Sequence, residues 1–197
     1  MNKPVKVGIT GGIGSGKTIV TKLFSLLGVP VYNADERAKI LTHTLLRDSI
    51  IEVFGTNSFT GEKLNRDFMA ATVFKDKDQL EKLNSIVHPA VANDFKDWVN
   101  AHSDYDYVVK EAALLVETGS YKELDILIVV SAPEKLRIER IKERDPFRSQ
   151  DEIAGIIDKQ AKDDVKLKLA DYIIDNGDTQ LLIPQVLEID KKIRQHL

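Results

Sequence analysis

Eight residues near the start of the chain constrain its fold more than any other segment. Residues 11–18 read Gly-Gly-Ile-Gly-Ser-Gly-Lys-Thr. An apolar, β-branched stretch at residues 5–9 precedes them, and apolar residues at helical spacing follow them until Gly28. We therefore expect a buried strand, a tight glycine-rich turn and an amphipathic helix in direct succession, which is the beginning of a layered α/β structure.

Short apolar stretches typical of strands recur along the chain, and helical patterns separate them. They are rich in β-branched or aromatic residues, which favour strands. The candidates after residues 5–9 are residues 29–32, 107–110, 126–130 and 172–174. This alternation predicts an α/β fold with a five-stranded parallel sheet flanked by helices.

Two segments exceed this minimal core. Residues 34–101 contain no convincing strand but show helical periodicity, and Pro89 is expected to bend or break the helix. Residues 137–162 are rich in arginine and include Ser149 and Glu152 at the spacing of a helix-capping box. We predict one domain, 1–197, with a core of about 1–34, 103–136 and 163–197, a helical insertion of about 35–102 and a basic helical flap of about 137–162.

Composition excludes several classes of protein. The formal net charge of −3 gives no bulk attraction to nucleic acid or anionic lipid. The chain has no cysteine, which excludes disulfides and thiolate catalysis and fits a reducing compartment. No signal peptide is recognisable, and the apolar runs are too short to cross a bilayer. We expect a cytoplasmic protein with neither a nucleic-acid nor a membrane partner.

The glycine-rich segment satisfies the Walker A pattern G-x-x-x-x-G-K-[ST] in the required context of strand and helix. Its backbone N–H groups and the helix N-terminus would surround phosphate oxygens of ATP. Lys17 would reach the β- and γ-phosphates, and the Thr18 hydroxyl would bind Mg²⁺. The alternative is a structural turn with an incidental lysine, although Lys-Thr at a helix start answers no packing need.

Carboxylates follow two of the predicted strands, at the edge of the sheet where ligands of parallel sheets bind. Asp35 follows the second strand and could accept a proton from an attacking hydroxyl, or it could cap the helix that begins near Glu36. Glu111 ends the third strand, and Glu117 follows it. Either could orient a metal or substrate, or be a solvated carboxylate at a helix start.

Two further features have both a functional and a structural interpretation. His88 precedes Pro89 and could contact a substrate or lie on the surface of a kinked helix. The arginines of the flap could neutralise charge on a triphosphate, or they could form ion pairs along a helix with nearby glutamates. These arginines are Arg137, Arg140, Arg144 and Arg148.

Taken in order, these motifs resemble the dephospho-CoA kinase family over essentially the whole length. The loop alone is generic, whereas the combination is specific. The matching segments are residues 10–18, Asn33-Ala34-Asp35, Val87-His88-Pro89, Ala113-Leu114-Leu115-Val116-Glu117, Gln160, Ala170-Asp171 and Ile174-Asp175-Asn176-Gly177. The chain departs from the family pattern at Asn33, where an aspartate is usual, and at Ala113, where a proline is usual.

The resemblance implies a P-loop kinase core with a helical substrate-binding region and a lid, the latter two at the insertion and the flap. It implies transfer of the ATP γ-phosphate to the ribose 3′-hydroxyl of dephospho-CoA, with Mg²⁺, by a monomer or small homo-oligomer. The implied catalytic residues are Asp35, Lys17 and Arg140. The implied ATP-binding residues are Gly12, Ile13, Gly14, Ser15, Gly16, Lys17, Thr18, Ile19, Arg140, Asn176 and Gly177. The implied substrate-binding residues are Asp35, Lys39, His88, Leu114 and Glu117, and Thr18 is the implied magnesium ligand.

Three other functions are compatible with parts of the pattern. Another P-loop kinase acting on a nucleoside, nucleotide or adenylylsulfate would share every core feature. A GTP-dependent switch protein would need an Asp-x-x-Gly switch and an Asn-Lys-x-Asp or Thr-Lys-x-Asp guanine reader, and the chain has neither. A non-catalytic nucleotide-binding module would be expected to lose Lys17, Thr18 or Asp35, and all three are present.

Overall fold

The computed structural model describes residues 3–73 and 76–196. Its helices are α1 Lys17–Leu26, α2 Ala34–His43, α3 Arg47–Phe54, α4 Arg66–Val73, α5 Lys77–Ala101, α6 Glu134–Arg144, α7 Gln150–Asp158, α8 Asp163–Leu169 and α9 Leu182–Gln195. Its strands are β1 Val5–Thr10, β2 Val31–Asn33, β3 Phe59–Thr60, β4 Lys63–Leu64, β5 Tyr107–Glu111, β6 Ile126–Ser131 and β7 Tyr172–Asp175.

Five of the strands form one sheet in the order β2-β5-β1-β6-β7. β1 lies at the centre and pairs in parallel with β5 on one side and β6 on the other, and β6 pairs in parallel with β7. The prediction of a five-stranded parallel sheet flanked by helices is confirmed. Because all strands of a parallel sheet have their carboxyl ends at the same edge, the loops after β1, β5 and β6 lie side by side.

A buried core covers one face of this sheet. Inward residues of the central strands, such as Val7 and Ile128, are fully buried and pack with Phe24 of α1 and Ile193 of α9. This apolar set follows the two-residue period of strands and the helical period of α1, which is why the sequence pattern located these elements. The packing fixes the start of α1 against the end of β1.

The contacts divide the described chain into two compact units. The first contains the described residues up to Tyr32 and from His102 onward, and the second is Asn33–Ala101. The second unit has a core of its own that includes Ile50 and Met69. Among the described residues, no helix is long and apolar enough to cross a membrane.

One expectation for the second unit is wrong, and of the two alternatives for Pro89, a bend or a break, the break is excluded. The segment contains a short antiparallel pair, β3 and β4, although no strand was expected there. Helix α5 continues through Pro89 without a break. An ion pair from Arg37 of α2 to Asp94, beyond the proline, helps to hold α5 in place; Arg37 Nε lies 2.8 Å from Asp94 Oδ2. The proline removes one backbone hydrogen bond, and tertiary contacts on both sides of it keep the helix intact.

The flap consists of α6 and α7. The predicted capping box is present: Ser149 Oγ accepts from the Glu152 amide at 3.2 Å, and the Glu152 carboxylate accepts from the Ser149 amide at 2.8 Å. The hydrogen bond that the Ser149 amide donates to the carboxylate holds the pKa of Glu152 below its usual value. Helix α7 therefore begins at a defined residue, and its far end leads into residues 160–163 beside the core.

Candidate active site

The glycine-rich segment forms a loop between β1 and α1, which we call the phosphate loop (residues 11–16). Gly14 and Gly16 adopt φ values of 80° and 91°, in the left-handed region that favours glycine. The Lys17 ammonium donates to the carbonyl oxygens of Gly11 at 2.9 Å and Gly12 at 3.1 Å. The Ile19 and Val20 amides donate to the Gly16 carbonyl at 3.0 and 3.2 Å, so α1 begins directly at the end of the loop. The dipole of a helix N-terminus at such a loop favours an anion.

Two side chains from distant segments hold the phosphate loop in place. Asn176 Nδ2 donates to the Ser15 carbonyl at 2.7 Å, and Gln160 Oε1 accepts from the Ile13 amide at 2.8 Å. A Cβ atom on Gly16 would lie 2.1 Å from Asn176 Nδ2, so a side chain there would displace Asn176 from the Ser15 carbonyl and strain the left-handed backbone. The loop conformation therefore depends on contacts that the Walker A pattern does not include.

Arg137 packs directly against the phosphate loop. Its side chain is buried, and its guanidinium donates to Asp163 Oδ2 at 2.8 Å. A Cβ atom on Gly12 would lie 1.9 Å from Arg137 Nη1, and one on Gly14 would lie 2.5 Å from the Arg137 carbonyl oxygen. The close approach of α6 thus disfavours any side chain at these two positions, in addition to the need for a phosphate to reach the backbone.

Glu111 connects the end of β5 to α1. Its Oε1 accepts from the Thr18 hydroxyl at 3.0 Å, and its Oε2 accepts from the Thr21 hydroxyl at 3.0 Å. The carboxylate is buried, and both of its oxygens are oriented by these hydroxyls. A hydroxyl and a carboxylate at the mouth of a phosphate loop form an oxygen donor set of the kind that Mg²⁺ prefers. The described residues contain no cluster of three or more acidic, histidine or cysteine side chains that could hold a metal without further ligands.

Arg140 lies on α6 and contacts the loop after β7. Its Nη1 donates to the Asn176 carbonyl at 2.9 Å, and its Nη2 lies 3.5 Å from Asp178 Oδ1. The Asn176 amide in turn donates to the Ser131 carbonyl, at the end of β6, at 2.8 Å. The loop after β7 therefore lies next to Ser15 of the phosphate loop, and it carries Asn176 and Gly177 and contacts Arg140.

The segment after β5 contains two predicted substrate residues with different surroundings. Leu114 is 43% exposed. Glu117 is largely buried: its Oε1 accepts from the Ala161 amide at 2.8 Å and lies 3.0 Å from the ammonium of Lys166. Lys166 is 1% exposed, so the ion pair is shielded from solvent. Glu117 thus anchors the connection between α7 and α8.

Asp35, Lys39 and His88 belong to the second unit. Asn33, not Asp35, caps α2: its side-chain oxygen accepts from the Glu36 amide at 3.0 Å. The helix-cap interpretation of Asp35 is therefore wrong, and the aspartate lies exposed in the first helical turn. Lys39 is exposed one turn later. His88 is on the surface of α5, and partial burial lowers the pKa of its imidazole.

Several residues of the site had not been predicted. Thr21, Asp163 and Lys166 contact the supports of the phosphate loop. Gln160 was part of the family resemblance but had no assigned role, and Glu111 had been only one of two alternatives. The position of Thr21, one helical turn after Thr18 and on the same face of α1, is a pattern that could have indicated its contact with Glu111. The contacts of Gln160 and Lys166 join segments far apart in the chain, so no local pattern shows which residues they meet.

The fold and the site define a P-loop kinase: a central strand, a phosphate loop, a lysine and a hydroxyl at the helix start, and a carboxylate on the neighbouring strand. The family model for dephospho-CoA kinase matches residues 5–181. The chain belongs to the dephospho-CoA kinase family, and its reaction is the ATP-dependent phosphorylation of dephospho-CoA.

Individual relatives agree with this membership. A dephospho-CoA kinase of Bacteroides fragilis is 37% identical over 187 residues, which cover 94% of this chain and 91% of the relative. A crystal structure of a Thermus thermophilus protein has a TM-score of 0.87 at 27% identity and covers 100% of this chain and 99% of its own. The dephospho-CoA kinase of Campylobacter jejuni has a TM-score of 0.71 at 25% identity, with 97% and 98% covered.

Proposed function

We propose that the phosphate loop, Lys17 and Thr18 bind the triphosphate of ATP during this reaction. The observation that carries the proposal is the hydrogen bond from Thr18 to Glu111 at the point where a glycine-rich loop meets a helix N-terminus. Gly12, Ile13, Gly14, Ser15, Gly16 and Ile19 complete the ATP site on this proposal. Lys17 would exchange its contacts with the Gly11 and Gly12 carbonyls for β- and γ-phosphate oxygens.

The Thr18–Glu111 pair fits a magnesium ion that is held mainly by phosphates and water. Mg²⁺ requires oxygen ligands and keeps several waters, so one hydroxyl and a nearby carboxylate are a sufficient protein contribution. When bound, the ion neutralises charge on the phosphate oxygens. Thr18 would be its direct ligand, and Glu111 would orient the Thr18 hydroxyl.

We propose that Asp35 accepts the proton of the 3′-hydroxyl of dephospho-CoA as its oxygen bonds to the γ-phosphorus and the bond to ADP breaks. The support is that Asp35 is exposed and that the capping role belongs to Asn33. Lys39 lies one turn from Asp35 on α2 and would contact the acceptor. His88, Leu114 and Glu117 are further candidates for substrate binding, and for them the support is the family resemblance.

Arg140 is proposed to neutralise charge that develops on the transferred phosphoryl group, from a flap that acts as a lid over about 137–162. Asn176 and Gly177 would line the nucleotide site next to it. We assign substrate binding to the insertion of about 35–102. A cytoplasmic location, a monomer or small homo-oligomer, and the absence of nucleic-acid or membrane partners are also proposals, testable by fractionation and by light scattering.

The test is a coupled assay of ADP release with dephospho-CoA, AMP, nucleosides and pantetheine derivatives as acceptors, with and without Mg²⁺. Turnover only with dephospho-CoA and Mg²⁺ is expected, and phosphorus NMR of the product should show a 3′-phosphate. Faster turnover with AMP or a nucleoside would overturn the acceptor assignment. Turnover that is independent of Mg²⁺ would overturn the role of Thr18.

A further inference from the structure

The phosphate loop contains a tight turn whose geometry depends on one peptide plane. The Ser15 amide donates to the Gly12 carbonyl at 3.1 Å, and Gly14 has φ 80° at the third position of this turn. Such a turn has an alternative form in which the peptide between its two central residues is rotated, which reverses the direction of one N–H group. The central residues here are Ile13 and Gly14.

Gln160 holds the peptide that precedes this rotatable plane. Its Oε1 accepts from the Ile13 amide at 2.8 Å, a contact that is partly shielded from solvent. Holding the Gly12–Ile13 peptide restrains one side of the adjoining Ile13–Gly14 peptide, and through it the direction of the Gly14 N–H group. Gln160 thus acts on the donors of the loop without itself facing a phosphate oxygen.

The position of Gln160 is fixed in turn by its neighbours. Its own amide donates to the Ile157 carbonyl at 3.0 Å, so it directly follows the last turn of α7. The next amide, that of Ala161, donates to Glu117, which pairs with buried Lys166. Two residues further on, Asp163 pairs with the buried Arg137, which packs against the loop. The end of the flap is therefore attached rigidly beside the phosphate loop.

We propose that Gln160 is a positioning residue for ATP: its side-chain oxygen sets the direction of the phosphate-loop amides and couples them to the anchored end of the flap. The inference rests on the phosphate loop being the ATP site proposed above. It predicts that loss of the oxygen weakens nucleotide binding specifically. Affinity for dephospho-CoA should change little, because Gln160 does not belong to the proposed acceptor site.

The experiment compares Gln160→Met, which keeps the length and loses the acceptor, with Gln160→Glu, which keeps an acceptor oxygen. Gln160 lines a cavity of about 310 Å³, so either side chain has room. Gln150→Met is the matched control, since Gln150 is exposed at the other end of α7. Gln160→Ala provides a second variant without the acceptor if Gln160→Met does not fold.

Two measurements decide the matter on the full chain. Hydrogen exchange of the Ile13 amide should be about three- to tenfold faster in Gln160→Met and unchanged in Gln160→Glu and Gln150→Met. The Kd for ADP and the KM for ATP should rise about three- to tenfold in Gln160→Met, with the KM for dephospho-CoA within twofold of the original. An unchanged Kd for ADP in Gln160→Met, or fast exchange of Ile13 in Gln160→Glu, overturns the proposal.

A separate observation tests the ATP site itself. Addition of ADP to the unmodified protein should shift the amide resonances of Gly14, Gly16 and Thr18. If these do not shift, the proposed ATP site fails. If they shift and Gln160→Met still binds ADP normally, only the role of Gln160 fails.

Discussion

Lys17 is the residue whose replacement tests the phosphate loop most directly. Lys17→Ala removes a point charge from the β- and γ-phosphate oxygens, and no neighbour in the loop can replace it. We expect kcat to fall about 10²- to 10³-fold, the usual loss for one donor at developing charge. Steady-state kinetics provide the measurement. Lys22→Ala, an exposed lysine on the same helix, is the control and should retain normal turnover.

Asp35 is tested by a substitution that keeps its shape. Asp35→Asn removes the base, so kcat should fall about 10²- to 10⁴-fold with ATP affinity unchanged. Because Asn33 caps α2, the melting temperature should hardly change. The matched control is Asp48→Asn, an exposed aspartate in the first turn of α3. Near-normal turnover of Asp35→Asn would remove Asp35 from the mechanism and direct attention to Glu111.

At the scale of elements, α6 carries two arginines with different surroundings. Arg137 is buried against the phosphate loop, whereas Arg140 is partly exposed and contacts the Asn176 carbonyl. Arg140→Ala should lower kcat by about 10²-fold or more, because the guanidinium would face the transferred phosphate. The free energy of unfolding should fall by only about 1–2 kcal/mol. About 0–1 kcal/mol comes from the ion pair with the exposed Asp178, and about 1 kcal/mol from the hydrogen bond to the Asn176 carbonyl.

The outcome for Arg140 is read from kinetics together with a melting curve. Lys142→Ala on the same helix removes an exposed positive charge and serves as the control. Equal turnover of the Arg140→Ala variant, or a loss of activity that follows unfolding, would favour a structural helix-face role.

Helices and strands with a clear periodic pattern of apolar residues were predictable from the sequence. Very short strands, and boundaries that depend on neighbouring elements, were not. The five strands of the main sheet have continuous apolar patterns, and Ser149 and Glu152 have the spacing of a capping box. β3 and β4 have two residues each, too few for any period to be visible. The cap of α2 was misplaced because β2 ends at Asn33, one residue later than the apolar pattern suggests.

The part of the candidate site that lies within one contiguous sequence motif was predictable. Lys17, Thr18 and their glycines lie in one contiguous motif. Glu111 could be suspected from its place at a strand end, but its bonds to Thr18 and Thr21 depend on how β5 and α1 pack. Gln160 and Arg137 reach the loop from elements whose position only tertiary structure defines.

At the scale of the whole first unit, Tyr107 joins β5 to α9. Its ring is 1% exposed, and its hydroxyl donates to Asp190 Oδ1 at 2.5 Å. Burial, followed by the hydrogen bond and negative charge of Asp190, raises the pKa of Tyr107 far above its usual value. In the unfolded chain the phenol ionises near pH ~10. Its contribution to stability is thus present below pH ~10 and lost as the pH rises further.

The Tyr107→Phe substitution separates this contribution from the others. The free energy of unfolding should fall by about 1–2 kcal/mol at pH 8, with kcat unchanged, because one hydrogen bond to a charged group is lost. Above pH ~10 the difference between the variant and the original should shrink. Urea unfolding at both pH values is the measurement, and Tyr105→Phe, which alters an exposed ring, is the control. A difference that does not depend on pH would contradict the assignment.

The order of elements along the chain also affects how the protein folds during synthesis. The central strand β1 has both of its neighbours, β5 and β6, after residue 101, so it leaves the ribosome long before its partners. The insertion Asn33–Ala101 has its whole core within one continuous stretch. Since nascent domains fold as units once they are complete, the insertion can fold first. The sheet around β1, and with it the phosphate loop, can form only after β5 and β6 have been synthesised.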